Sequence, residues 1–222
     1  MKIFAPIPPL LRASGCIRHE HPAPDATPGR SWIVWPDSCW LLSRRPLFVP
    51  DFAPQFIAVP AMAAKIGRLG KTVGLRFAHR YVSEYSAALI ILPLRAVNDW
   101  EEGMNPQYSD ICFDNSLVIG EWMKAEAVTP ERNFTFTLQL GDKQDQSSRI
   151  PLSASLQGIY SLITEVSGTN TLKMGDVMLL PMMTAGSDTR SSFPIRENLT
   201  AQIFLSPSDD DPGRKILHTN FK

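Results

Sequence analysis

Short apolar or alternating runs, broken by proline and glycine, dominate this chain. Ser31-Trp32-Ile33-Val34-Trp35 reads as a strand that stops at Pro36-Asp37. Trp40-Leu41-Leu42 and Leu47-Phe48-Val49 flank a turn at Arg44-Arg45-Pro46. Residues 56–66 read as a strand broken or bulged at Pro60, because proline brings no N–H to a ladder. Gly67-Arg68-Leu69-Gly70 makes a turn. Apolar positions at Leu75, Ala78, Tyr81, Val82 and Tyr85 predict an amphipathic helix over 75–86. The apolar run 87–94 reads as a buried strand, and a polar loop follows near 98–110. Residues 117–122 read as another strand, and 134–140 alternate as a half-exposed strand should, ending at Gly141-Asp142. Leu156, Ile159, Tyr160 and Ile163 line one side of a short helix over 155–166. Residues 172–176 turn into a strand at 177–180. Two alternating segments, 199–204 and 216–221, flank an acidic turn at 206–213 as a terminal hairpin. Many short strands with about two short helices predict a mostly β, α+β domain.

Residues 5–30 stand apart. Prolines at 6, 8, 9, 22, 24 and 28 exclude a long helix or a central strand there. The chain therefore divides into a proline-rich segment, 1–30, and one domain, 31–222, with no internal repeat.

Composition narrows the function classes. Lysine and arginine balance aspartate and glutamate, 22 against 22, so no basic excess points to nucleic acid or to an anionic membrane. No apolar run approaches the roughly 20 residues a membrane helix needs. The N-terminus lacks a secretory pattern, which makes the cytoplasm the expected compartment. Cys16, Cys39 and Cys112 are far apart in sequence and form no Cys-x-x-Cys pair, so a disulfide framework or a zinc site is not expected.

The order of several segments resembles the fumarylacetoacetate hydrolase family, in particular its small bacterial members. The matching pieces are Trp35-Pro36-Asp37-Ser38, Pro50-Asp51-Phe52, Lys65-Ile66-Gly67-Arg68-Leu69-Gly70-Lys71 and Arg76-Phe77-Ala78-His79-Arg80-Tyr81. Phe113-Asp114-Asn115-Ser116 with Ile119-Gly120 follows the family's Phe-Asp-x-x-x-Pro-x-Gly, except that Val118 replaces the proline. Thr171-Leu172-Lys173-Met174-Gly175-Asp176-Val177 and Ile195-Arg196-Glu197-Asn198-Leu199 complete the set. Colinearity gives the resemblance its weight, since each piece alone is common. It implies a β-roll or sandwich around a central cavity, a homodimer, and Mg²⁺ or Ca²⁺ held by carboxylates to stabilise an enolate. An unrelated β-barrel module is the reading that a missing central roll would favour.

The resemblance also shows what is gone. The family's Glu-x-Glu falls on Val59 and Ala61, counted without gaps from Asp51 and back from Lys65-Ile66. Its third metal carboxylate falls on Ile91, four residues before Arg95. A lysine falls on Ile111, a Thr-Gly-Thr-Pro on Leu180-Pro181-Met182-Met183, and an N-terminal Gly-x-Asn-Tyr on the region of Pro8, Pro9 and Leu10. No metal cofactor is expected from such a set. Three side chains survive as weak catalytic or ligand-binding candidates: Arg95, which suits a small carboxylate, Asn98 in place of a glutamine, and His19. His19-Glu20-His21 lacks a third metal ligand, and Asp99, Glu101 and Glu102 read as a solvated acidic run. The expectation is a pseudoenzyme, a non-catalytic scaffold or small-ligand binder. The alternative is a residual hydrolase, decarboxylase or tautomerase acting on 2-oxo or 2,4-dioxo acids.

Overall fold

The computed structural model describes residues 1–6, 32–101, 107–140, 143–181, 193–206 and 213–222. Its strands up to the middle of the chain are β1 (Ile3–Pro6), β2 (Trp32–Trp35), β3 (Trp40–Leu42), β4 (Phe56–Ile66), β5 (Val82–Pro93), β6 (Leu117–Ile119) and β7 (Met123–Lys124). The remainder are β8 (Asn133–Leu140), β9 (Lys143–Pro151), β10 (Val177–Pro181), β11 (Phe193–Pro194), β12 (Leu199–Ser206) and β13 (Arg214–Asn220). The α-helices are α1 (Leu94–Glu101), α2 (Tyr108–Ile111) and α3 (Leu152–Thr169). The mostly β reading holds.

Two sheets carry the fold. The larger runs β2-β1-β10-β4-β5-β6-β3, with β11 beside β4 and β7 beside β5; the smaller runs β13-β12-β8-β9. β2 and β3 sit at opposite edges of the large sheet, yet only residues 36–39 join them. Flat, those edges would lie about 29 Å apart, six spacings of ~4.8 Å. The connection reaches at most about 19 Å, five Cα steps of ~3.8 Å. The large sheet must therefore curl into a half-barrel.

The curl separates two cores. One face of β4 and β5, through Ala58, Met62, Leu89 and Ile91, packs on α3 and on the small sheet. The concave face, through Ile57, Val59, Ala61, Ala63, Ala88, Ile90 and Leu92, packs on Trp35, Ile3, Leu117 and Leu179 from the same curled sheet. Alanine pairs such as Ala61 opposite Ala88 leave room for Trp35 and the branched side chains inside the curl.

Several sequence expectations need correction. β4 runs unbroken through Pro60, which lies opposite Leu89. On its other side, among the described residues, β10 pairs as far as Ala61 and β11 from Ala58, and none is paired with Pro60. A proline is tolerated where a strand lacks a partner on one side. The predicted helix over 75–86 is instead a 3₁₀ helix, Leu75–Tyr81, followed directly by β5. Leu75, Ala78 and Tyr81 recur every third residue, which is the 3₁₀ repeat. The predicted loop at 98–110 holds the end of α1 and most of α2. β9 carries a polar sequence and showed no apolar signal; pairing with β8 makes it a strand. The terminal hairpin of β12 and β13 is as expected.

Candidate functional site at the mouth of the curled sheet

β4 and β5 carry the three positions that the family resemblance sets against metal ligands. Val59 lies opposite Ile90 and Ala61 opposite Ala88, and all four point into the concave core with no solvent exposure. Ile91 lies opposite Ala58 and points to the other face, into the core against α3. The three positions therefore do not converge on one site, as the gap-free correspondence had implied. A one-residue shift at Ile91 changes nothing chemically, because Ile90 and Leu92 are equally apolar. β4 contains no acidic residue at all. The sole acid in β5, Glu84, sits at its far end and pairs with Lys65 at 2.5 Å. Ile111, at the family's lysine position, is buried in the concave core, and its carbonyl accepts a 3.0 Å hydrogen bond from Trp35 Nε1.

The matching segments do structural work. Gly175 has φ +86°, which lets the chain turn into β10. Asp176 accepts from the backbone N–H groups of Lys2 and Lys173, both at 2.9 Å, and so ties β1 to that turn. Gly120 lies where a Cβ would come within 2.6 Å of the Ile216 carbonyl oxygen, so any side chain would push the two sheets apart.

Polar groups gather at the mouth. Arg95, on the first turn of α1, donates from Nη2 to Asp110 Oδ1 at 2.6 Å and from Nε to Asp110 Oδ2 at 2.9 Å. Its Nη1 donates to the Phe52 carbonyl at 3.0 Å, and the guanidinium lies over the Phe52 ring at 5.4 Å. The hydrogen bond to Asp110 raises the Arg95 pKa above its usual range. Of the five guanidinium N–H groups, two are left for a ligand. Phe52, Phe56 and Phe113 stack edge-to-face beneath it. Asn98 is exposed and Asp99 half-buried on the same helix. His19, Glu20, His21, Glu102, Met182, Met183 and Pro8 to Leu10 lie outside the described residues, as does the side chain of Glu101.

Sequence spacing missed one cluster. Cys39 and Cys112, both free thiols, come together where the turn before β3 meets the end of α2. A hydrogen bond from the Cys112 thiol holds Cys39 at a pKa of about 7 and pushes Cys112 up. Burial, with the Cys112 contact, raises Tyr108 to about 12, and its hydroxyl donates to the Val34 carbonyl at 2.9 Å. Only the pairing of β3 with β6 could have revealed the thiol pair, since 73 residues separate them (112 minus 39).

A hard divalent cation needs several oxygen ligands. The strand positions at the concave face offer methyl and methylene groups. Among the described residues no group of three or more His, Cys, Asp or Glu side chains is arranged to hold a metal. The residues present at the concave face do not fit the family's cation.

A model of the fumarylacetoacetate (FAA) hydrolase C-terminal domain matches residues 12–199. No curated protein sequence matches the chain. Solved structures share the fold. A fumarylacetoacetate hydrolase family protein from Yersinia pestis CO92 superposes with a TM-score of 0.71 at 17% identity, covering 100% of this chain and 92% of that one. Fumarylpyruvate hydrolase from Pseudomonas aeruginosa, in complex with Mn²⁺ and pyruvate, gives 0.71 at 15% identity, covering 100% and 89%. The 5-carboxymethyl-2-hydroxymuconate delta-isomerase from Mycobacterium smegmatis gives 0.69 at 19%, covering 99% and 76%.

Proposed function

The chain belongs to the fumarylacetoacetate hydrolase family, and within that family we propose a member without metal-dependent catalysis, whose fold serves as a scaffold with a carboxylate-binding rim. One observation carries this reading. The concave face of β4 and β5 is closed apolar core, and no acid lies on β4 or along β5 beyond Glu84. A lone carboxylate set into that core would cost several kcal/mol unless a cation accompanied it. Apolar side chains there contribute instead about 1.5–3 kcal/mol each through burial of groups the size of Val59 or Ile90.

The ligand class follows from the rim. Arg95 is aimed by Asp110 and the Phe52 carbonyl, and its two remaining N–H groups suit one carboxylate. The Pseudomonas aeruginosa neighbour holds pyruvate, a small 2-oxo acid, which makes that the first ligand to try. A cytoplasmic homodimer is the assembly proposed with this reading, on the family resemblance.

The test pairs binding with turnover. Titration with pyruvate and oxaloacetate should give weak binding that Arg95→Ala abolishes. The chain should not speed the loss of acylpyruvates or oxaloacetate beyond the protein-free rate, measured with and without Mg²⁺ or Mn²⁺. Metal-stimulated turnover by the intact chain would overturn the proposal. The second reading rests on the same oriented Arg95: metal-free decarboxylation or tautomerisation of a 2-oxo acid, which Arg95→Ala would abolish.

A further inference from the structure

β10, β4 and β5 are neighbours in the large sheet. β4 ends at Ile66, β5 starts at Val82 and β10 starts at Val177, so segments 67–81 and 171–176 emerge at one end of the sheet. Arg95 and the mouth lie at the opposite end, after Pro93. The two segments lie against each other: Gly70 and Leu172 exchange backbone hydrogen bonds at 3.1 and 2.8 Å, and the Gly175 N–H donates to the Ile66 carbonyl at 2.8 Å.

This end is both cationic and apolar. Residues 67–83 contain Arg68, Lys71, Arg76 and Arg80 and no acid, and Lys173 adds a further cation from the facing segment. The acids at the ends of β10 and β5 are held, Asp176 by Lys2 and Glu84 by Lys65, while exposed Glu126, just after β7, is the acid to set against the five cations. Glu165, near the end of α3, has a contact of its own. Between the cations stand Leu69 and Met174, 69% and 73% exposed, with Leu75 and Phe77 about half exposed. The guanidinium carbons of Arg76 and Arg80 lie 5.8 and 5.2 Å from the centre of the half-exposed Phe77 ring, a cation–π arrangement that keeps both charges at this surface. A zero net charge over the whole chain hides this local excess.

We infer that this end docks on an anionic lipid bilayer, with Leu69 and Met174 entering the headgroup boundary and Arg68, Arg76, Arg80 and Lys173 facing acidic headgroups. Charge complementarity selects an anionic partner. The aliphatic side chains at the two turns select a bilayer over nucleic acid, which would draw on stacked rings, and Phe77 is the exposed ring here among the described residues. Docked by this end, the protein would keep the Arg95 mouth open to the aqueous side. The inference is independent of the carboxylate-binding proposal.

The experiment is flotation of the full chain with vesicles of phosphatidylcholine alone and of phosphatidylcholine mixed with phosphatidylserine. Binding is expected to the mixed vesicles only and to weaken as salt rises. Arg76→Ala/Arg80→Ala should weaken it roughly 20- to 30-fold, from about a factor of five per cation near the surface. Leu69→Ser/Met174→Ser should weaken it about tenfold or more through lost insertion, with its thermal melt and oligomeric state unchanged. Equal binding to both vesicle types, no binding to either, or an unaffected member of the variant pair would overturn the inference. So would conversion of a dimer to a monomer by Leu69→Ser/Met174→Ser, which would make this end a contact between copies. Tighter binding of duplex DNA or polyglutamate than of vesicles would also overturn it.

Discussion

The inside of the curled sheet and its rim are separated by two residues along the chain, between Leu92 near the end of β5 and Arg95 on the first turn of α1, and follow opposite rules. Inside, every side chain on the concave face of β4 and β5 from Ile57 to Ala63 and from Ala88 to Leu92 is apolar and buried. At the rim, Arg95 and Asp110 form a bidentate pair over a cluster of phenylalanines. A metal site needs charge inside and shape at the rim. Among the described residues charge stands at the rim, where water and Asp110 can solvate it, and the concave face of β4 and β5 contributes stability by packing. That division is the physical basis for the proposal that the chain is a scaffold.

The sharpest way to break this contrast is to put a carboxylate back inside. Val59→Glu should destabilise the fold by about 3–5 kcal/mol, read by urea unfolding, because an unpaired charge enters a closed core. A loss below about 1 kcal/mol would mean that polar room remains there. At the rim, the two halves of the ion pair should respond unequally. Arg95→Ala strands Asp110, whose side chain is 7% exposed, whereas Asp110→Ala leaves Arg95 at 47% exposed, within reach of water. We expect a clear loss of stability for the first and a smaller one for the second, read by urea unfolding. Adding Asp110→Asn to Arg95→Ala should restore part of the loss, and a double-mutant cycle would measure the coupling.

The smallest effect lies away from both regions. Burial, and then Lys215 and Arg44, lower the His218 pKa below its ordinary 6.5. Below pH 6.5 the unfolded chain takes a proton that the folded chain refuses, so stability should fall as pH drops from 6.5 toward the lowered folded value. His218→Gln should flatten that slope in melts across pH 5 to 7.

Much of the fold was readable because the chain announces it locally. Residues 199–204 and 216–221 alternate cleanly and form the hairpin of β12 and β13. Gly175 and Gly120 stand where backbone geometry admits little else. Other features depended on partners that no local pattern shows. β9 is polar and becomes a strand only beside β8, and Val82 to Tyr85 follow helical spacing until pairing with β4 fixes them as strand. The absence of carboxylates at Val59 and Ala61 was visible in sequence. The orientation of Ile91 away from them was not, because pairing register decides which way each side chain points. Arg95 was legible as a surviving cation, but its partner Asp110 became visible only once the presumed loop was seen to contain α2.

Calorimetric titration of the full chain with Mn²⁺, and separately with Mg²⁺, tests the central claim most directly. We expect heats of dilution only, unchanged by adding pyruvate. Saturable binding of one ion per chain, strengthened by pyruvate, would contradict the account and restore the chain to the metal-dependent members of its family.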